Sequence, residues 1–222
     1  MSIGYVAGCY TAYTDNEGVF HSVDENIAIA KKIAAEMWAA GHIAICPHAN
    51  NEKFEVIYPN IPIQQWLDGD IEMLKLCEFI EMLPNWKYSN GGTGEHAEAV
   101  RLGMPVYEYP EIPPLHPTEV KCPQQVKAFR EMLGKMMRTH LSKNSDYSQA
   151  NILGTGQIGV ATRLWDKTCR LLSLTGFNIG IDVPLTFTKP RKAKNESLHD
   201  TYLDLANYAI IGEILLEDLW GK

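Results

Sequence analysis

The stretch Ser89-Asn90-Gly91-Gly92-Thr93-Gly94-Glu95-His96-Ala97-Glu98 combines the residue types that chemistry needs. Glycines between an apolar run and a helix leave backbone N–H groups free at the mouth of a sheet, where they can meet an anion or a sugar oxygen. Glu95 follows in what reads as the first helical turn. A carboxylate there is either a charge partner of the helix start or a catalytic group. Glu98, one turn on, reaches the same side and is the alternative nucleophile. Upstream lie a second acid, Asp70, and an opening segment, Tyr5-Val6-Ala7-Gly8, whose glycine marks a tight turn or a close approach to a ligand. Cys9, Tyr10 and His48 sit in polar loops that could face the same place.

The elements that would carry these residues follow from periodicity. Ile3–Ala7, Ile43–Cys46, Phe79–Leu83 and Val106–Tyr109 are short apolar runs and read as strands. Between them, helical spacing predicts a helix from Asp24, as its cap, to about Ala40, another from about Ile63 to Leu76, and a short one from Ala97 to Gly103. This alternation predicts an α/β fold, a Rossmann-like (flavodoxin-like) parallel sheet with helices on both faces. Ligands of such sheets sit beyond the carboxyl ends of the strands, where Gly8, His48, Pro84 and Ser89 all fall. The long segments Cys9–Val23 and His48–Pro62 and the glycine-rich turn should therefore surround one pocket. It is not a dinucleotide site, because no Gly-x-Gly-x-x-Gly follows the first strand.

The order Tyr5-Val6-Ala7-Gly8, then Asp70-Ile71-Glu72-Met73-Leu74, then Met82-Leu83-Pro84, then Ser89-x-Gly91 ahead of Glu95 resembles the nucleoside 2-deoxyribosyltransferase-like superfamily, which includes the 2′-deoxynucleoside 5′-phosphate N-glycosidases. The resemblance covers roughly residues 1–110. It implies hydrolysis or exchange at the bond between a deoxyribose C1′ and a nucleobase, with no cofactor. It makes Glu95 the nucleophile and Asp70 the partner that positions it or holds a sugar hydroxyl. Ser89 and the amides of Gly91, Gly92 and Gly94 would hold a 5′-phosphate or 5′-oxygen, while Tyr5 and the Cys9–Tyr13 loop wall the base. It also implies a homo-oligomer.

Four prolines between Pro110 and Pro117 read as a linker over residues 113–122, so the first domain is expected at 1–112. Residues 123–222 read as a smaller all-α domain with helices at about 123–141, 157–174 and 196–219. The last helix places Glu196, Asp200 and Asp204 at four-residue spacing along one face. That stripe suits Mg²⁺, or else is solvated or paired with Arg163, Lys167 and Arg170. Lys189, Arg191, Lys192 and Lys194 form a basic loop that could attract phosphates. Asp146-Tyr147-Ser148, Asp166-Lys167, Arg170-Leu171, Glu196, Asp200-Thr201, Asp204 and Asn207-Tyr208 resemble a phage-associated helical family, nucleotide modification associated domain type 1. This implies a nucleotide-handling role in a phage setting.

Charge supports the division: residues 1–112 carry 16 acidic and 6 basic side chains, residues 113–222 carry 11 and 14. The net charge of -7 excludes a whole-protein basic footprint for nucleic acid. No apolar run is long enough for a membrane span, and the chain opens on a strand pattern rather than a signal peptide. Five scattered cysteines without a CxxC pair fit a cytoplasmic protein. The expectation is thus a nucleotide-metabolism enzyme acting on a small-molecule nucleotide or nucleoside. The alternatives are a non-catalytic nucleotide binder, or a Mg²⁺-dependent pyrophosphohydrolase working in the helical domain.

Overall fold

The computed structural model describes residues 2–146, 150–178, 186–187 and 197–222. The chain divides into two compact units, Met1–Val126 and Lys127–Lys222.

The first unit is α/β. Strand β1 (Ile3–Ala7) leads into a small hairpin, β2 (Tyr13–Thr14) and β3 (Phe20–His21), then helix α1 (Val23–Ala39) and strand β4 (Ile43–Ile45). Short helices α2 (Pro47–Asn50) and α3 (Phe54–Ile57) precede α4 (Ile63–Leu74) and β5 (Phe79–Met82). A 3₁₀ turn at Trp86–Tyr88, α5 (Asn90–Arg101), β6 (Val106–Glu108) and α6 (Pro117–Lys121) complete it. The main sheet runs β4-β1-β5-β6, all parallel, with Tyr5 opposite Ile45 and Ile80, and Glu81 opposite Val6 and Tyr107. The chain steps outward from β1 in both directions, so the crevice at the carboxyl ends of β1 and β5 is the switch point of the sheet.

Strand alternation divides the core between two faces. Val6, Phe79 and Leu83 pack with Ala30, Ile33 and Met37 of α1. Tyr5, Ala7, Ile80 and Met82 pack with Leu74 and Ala99 on the α4–α5 face. Burial of each large apolar side chain stabilises the fold by about 1.5–3 kcal/mol.

Three local details differ from the sequence expectation. Ser22, not Asp24, caps α1: its hydroxyl accepts from the Glu25 N–H while the Glu25 carboxylate accepts from the Ser22 N–H, a reciprocal pair that leaves Asp24 inside the first turn. The glycine-rich stretch is itself helical, because Ser89 caps α5 at Gly92, so Glu95 sits in the second turn. Proline-rich residues 110–117 are bound to this unit. Ile112 packs on the α1-face core, and His42 Nε2 donates to the Pro113 carbonyl at 2.7 Å.

The second unit is helical. Its division from the first falls inside α7 (Pro123–Asp146), which is followed by α8 (Ala150–Leu153), α9 (Gly156–Thr175) and α10 (Leu198–Leu216). Strands β7 (Phe177–Asn178) and β8 (Thr186–Phe187) pair antiparallel. Ile152, Val160 and Ile211 form its core, with Leu164, Tyr208 and Leu215 packed around them. Among the described residues no helix is long and apolar enough to cross a membrane.

Candidate active site

A cavity of about 540 Å³ opens beside the switch point of the sheet. Its wall comes from the turn after β1 (Gly8, Tyr10, Thr11), the segment after β4 (Pro47, His48, Asn51, Phe54, Glu55), one face of α4, and the start of α5 with Tyr88 before it. The α4 contribution is Ile63, Trp66, Leu67 and Asp70, a three-to-four-residue spacing that puts all four on one side of the helix. Asp70 therefore lies well inside this helix.

Glu95 closes the inner end. On α5 the buried residues are Gly92, Glu95 and Ala99, so the stripe that packs against the sheet carries the carboxylate with it. Gly92 must be glycine: a Cβ there would stand 2.8 Å from the Trp86 carbonyl oxygen. The Tyr5 hydroxyl, fully buried on β1, donates to Glu95 Oε1 at 2.5 Å. Burial pushes the Glu95 carboxyl up to about 8; the Tyr5 hydrogen bond works the other way, and the Asp70 charge adds to the rise. Burial also raises Asp70, to about 6, while Asn51 Nδ2 donates to its Oδ1 at 3.2 Å. The two acids are electrostatically coupled, so the pair titrates as a unit across neutrality.

The loop after β1 is fixed by buried amides that sequence reading missed. The Cys9 N–H donates to Asn85 Oδ1 at 3.1 Å, Asn85 Nδ2 to Asn26 Oδ1 at 3.1 Å, and Asn26 Nδ2 to the Thr11 carbonyl at 2.8 Å. An asparagine in a helix or a turn carries no pattern that marks it as buried; only the fold brings the two together. Tyr10 is held from outside, its hydroxyl donating to Glu55 at 3.1 Å and accepting from the Lys53 N–H at 2.8 Å. Asn51, Phe54, Glu55, Trp66, Leu67 and Tyr88 also went unassigned in the sequence, although the length of the loop after β4 signalled a wall there.

The structure brings Gly8, Tyr10, His48, Asp70, Ser89, Gly91, Gly92 and Glu95 to this cavity, with Tyr5 behind Glu95. Three expected residues lie elsewhere. Cys9 is buried and turns its thiol to the Thr11 carbonyl. Gly94 is exposed, with open space where a Cβ would stand. Glu98 is outside the cavity wall and is held by Arg101, with both carboxylate oxygens at 2.7 Å from the guanidinium. Of the amides expected to hold an anion, the Gly92 N–H is taken by Ser89 Oγ and the Thr93 N–H by the Ser89 carbonyl. Asn90, Gly91 and the Ser89 hydroxyl proton remain for a ligand. His48 is buried, and burial lowers its pKa against the opposing pull of the Cys9 backbone, favouring the neutral ring.

In the acidic stripe of the second unit, the described carboxylates Asp200 and Asp204 already have partners. Asp204 is clasped by Lys143 Nζ and Lys167 Nζ, each at 2.6 Å. Burial alone would raise its carboxyl, but the two ammonium groups outweigh this and hold it low. Asp200 accepts from the Ser197 N–H and hydroxyl as the cap partner of α10. Glu196, the basic cluster Lys189, Arg191, Lys192 and Lys194, and Tyr147-Ser148 lie outside the described residues. Among the described residues, no group of three or more His, Cys, Asp or Glu could hold a metal ion.

Residues 3–108 match a family described as a domain of unknown function, DUF4406. The match runs from β1 to the end of β6 and contains every residue of the cavity wall. The helical unit lies wholly outside it. No curated protein matches the chain.

Proposed function

We propose that the first unit cleaves or exchanges the N-glycosidic bond of a 2′-deoxynucleoside or deoxynucleotide, with Glu95 as nucleophile. The observation that carries this reading is the buried Glu95 carboxyl, bonded to Tyr5 at 2.5 Å and coupled to Asp70 across a cavity of nucleoside size. Displacement at an anomeric carbon uses two carboxyl groups, one as nucleophile and one as proton donor to the leaving group.

In this reading ionised Glu95 attacks C1′. The C1′–N bond breaks and its electron pair leaves with the base nitrogen, which takes a proton from the acid form of Asp70. Water then attacks C1′ of the glycosyl ester while Asp70 accepts its proton; Glu95 leaves and the free sugar is released. In base exchange, a nitrogen of a second base takes the place of the water. Tyr5 donates to Glu95 throughout and favours its ionised form. Phe54 and Trp66, edge to face at 5.9 Å, supply an apolar wall suited to a flat base.

Glu95→Gln keeps the shape and removes the nucleophile. We expect a folded protein by circular dichroism whose release of free base falls by roughly 10³-fold or more. A Glu95→Gln protein that releases base at the wild-type rate contradicts the assignment.

A further inference from the structure

The ionisable wall of the cavity has one sign. Glu55, Asp70 and Glu95 are carboxyl groups, Tyr10 and Tyr88 are phenols, and burial favours the neutral ring of His48. The lysines of this region that have assigned partners point elsewhere: Lys53 Nζ to Asp24 at 2.6 Å, Lys31 to Glu52, and Lys87 over the Trp86 ring at 5.1 Å. At the start of α5, where a 5′ substituent would lie, the donors left free among the described residues are the Asn90 and Gly91 N–H groups, the Ser89 hydroxyl and the Asn90 side-chain amide. These satisfy the lone pairs of a neutral sugar oxygen. A phosphate dianion at the same place would face Glu55 and a Glu95–Asp70 pair that keeps one proton and one negative charge near neutral pH, across a confined space in which water screens charge poorly. From this we infer that the site takes the uncharged 2′-deoxynucleoside and discriminates against its 5′-phosphate.

This inference rests on the proposed glycosidic reading, and its test separates the two. The full-length protein is given each of the four 2′-deoxynucleosides and, separately, each 5′-monophosphate at pH 7.5. Free base is measured by chromatography, and equilibrium binding of the same compounds by calorimetry. We expect kcat/KM and affinity for the nucleoside to exceed those for its monophosphate by at least about 10-fold, about 1.4 kcal/mol. Glu55→Gln, which removes one wall charge, should shift the ratio toward the monophosphate by at least 2-fold. Equal or better turnover and binding of the monophosphate overturns the inference and leaves the glycosidic reading standing. If no base is released, the glycosidic reading fails, and the binding ratio alone decides whether the cavity excludes phosphate.

Discussion

The Tyr5–Glu95 hydrogen bond sets how the site responds to pH. Glu95 titrates near 8 and Asp70 near 6 in the empty cavity, so between these values the pair holds one proton. That proton sits mainly on Glu95, the weaker acid, so the productive arrangement, Glu95 ionised and Asp70 protonated, is the minor tautomer of the singly protonated pair, about one part in a hundred. kcat/KM should therefore trace a bell with limbs near pH 6 and 8. Tyr5→Phe removes a donor that lowers the Glu95 pKa, so the basic limb should move upward and the maximum should fall by about 10-fold. Asp70→Asn removes a charge that raises Glu95, so activity should lose its acid-donor limb and Glu95 should ionise at lower pH. A profile flat from pH 5 to 9 in the wild type would remove both acids from the reaction. At this scale, the residue types of the site were readable from their order in the chain. The exclusion of Glu98 was not, since its pairing with Arg101 is seen only in the structure.

Elements position these groups through close packing. In the sequence the glycines read as a turn because each costs a helix about 1 kcal/mol relative to alanine. The fold keeps Gly92 helical because the Trp86 carbonyl approaches where a side chain would be, and Ser89 supplies the cap. The glycines are therefore not equivalent. Gly92→Ala should destabilise the first unit by about 1–3 kcal/mol through the clash with Trp86. Gly94→Ala, with open space around its Cβ position, should be neutral or stabilise by about 0.5–1 kcal/mol. Thermal melts of the two variants check this, and equal effects would contradict the packing account. The four strands and long helices were legible because their apolar spacing is regular. The start of α5 and the Ser22 cap were not, since each depends on competition between neighbouring hydrogen bonds.

At the scale of the molecule, the first unit carries an unusual electrostatic cost. Glu81 is fully buried on β5, neither carboxylate oxygen has a hydrogen-bond partner, and burial together with the Glu111 charge pushes its pKa up to about 7. Glu81, Glu95 and Asp70 all have folded pKa values above those of the unfolded chain. The folded protein thus binds more protons over this range, and stability must fall as pH rises. The contribution of Glu81 is complete below about pH 4.5 and is lost as pH climbs through about 7. Glu81→Met should raise the melting temperature at pH 8.5 and flatten the slope between about pH 4.5 and 7, with up to about 3 kcal/mol involved. A variant no more stable than wild type at pH 8.5 would contradict it. In the sequence Glu81 passes as one residue of an apolar run, because a lone acid in a strand gives no sign of which face it occupies. The division into two units was visible in the charge asymmetry, yet the proline-rich segment reads as a free linker only until its contacts with His42 and the α1-face core are seen.

The central claim is a covalent bond between Glu95 and the sugar. We would incubate the protein with a 2′-deoxy-2′-fluoro nucleoside, whose fluorine slows loss of the glycosyl group, and weigh the intact protein and its peptides. The account predicts release of free base and the mass of one fluorinated sugar on the peptide that contains Glu95. Unmodified protein with the nucleoside bound and recovered intact would contradict it and make the first unit a binder.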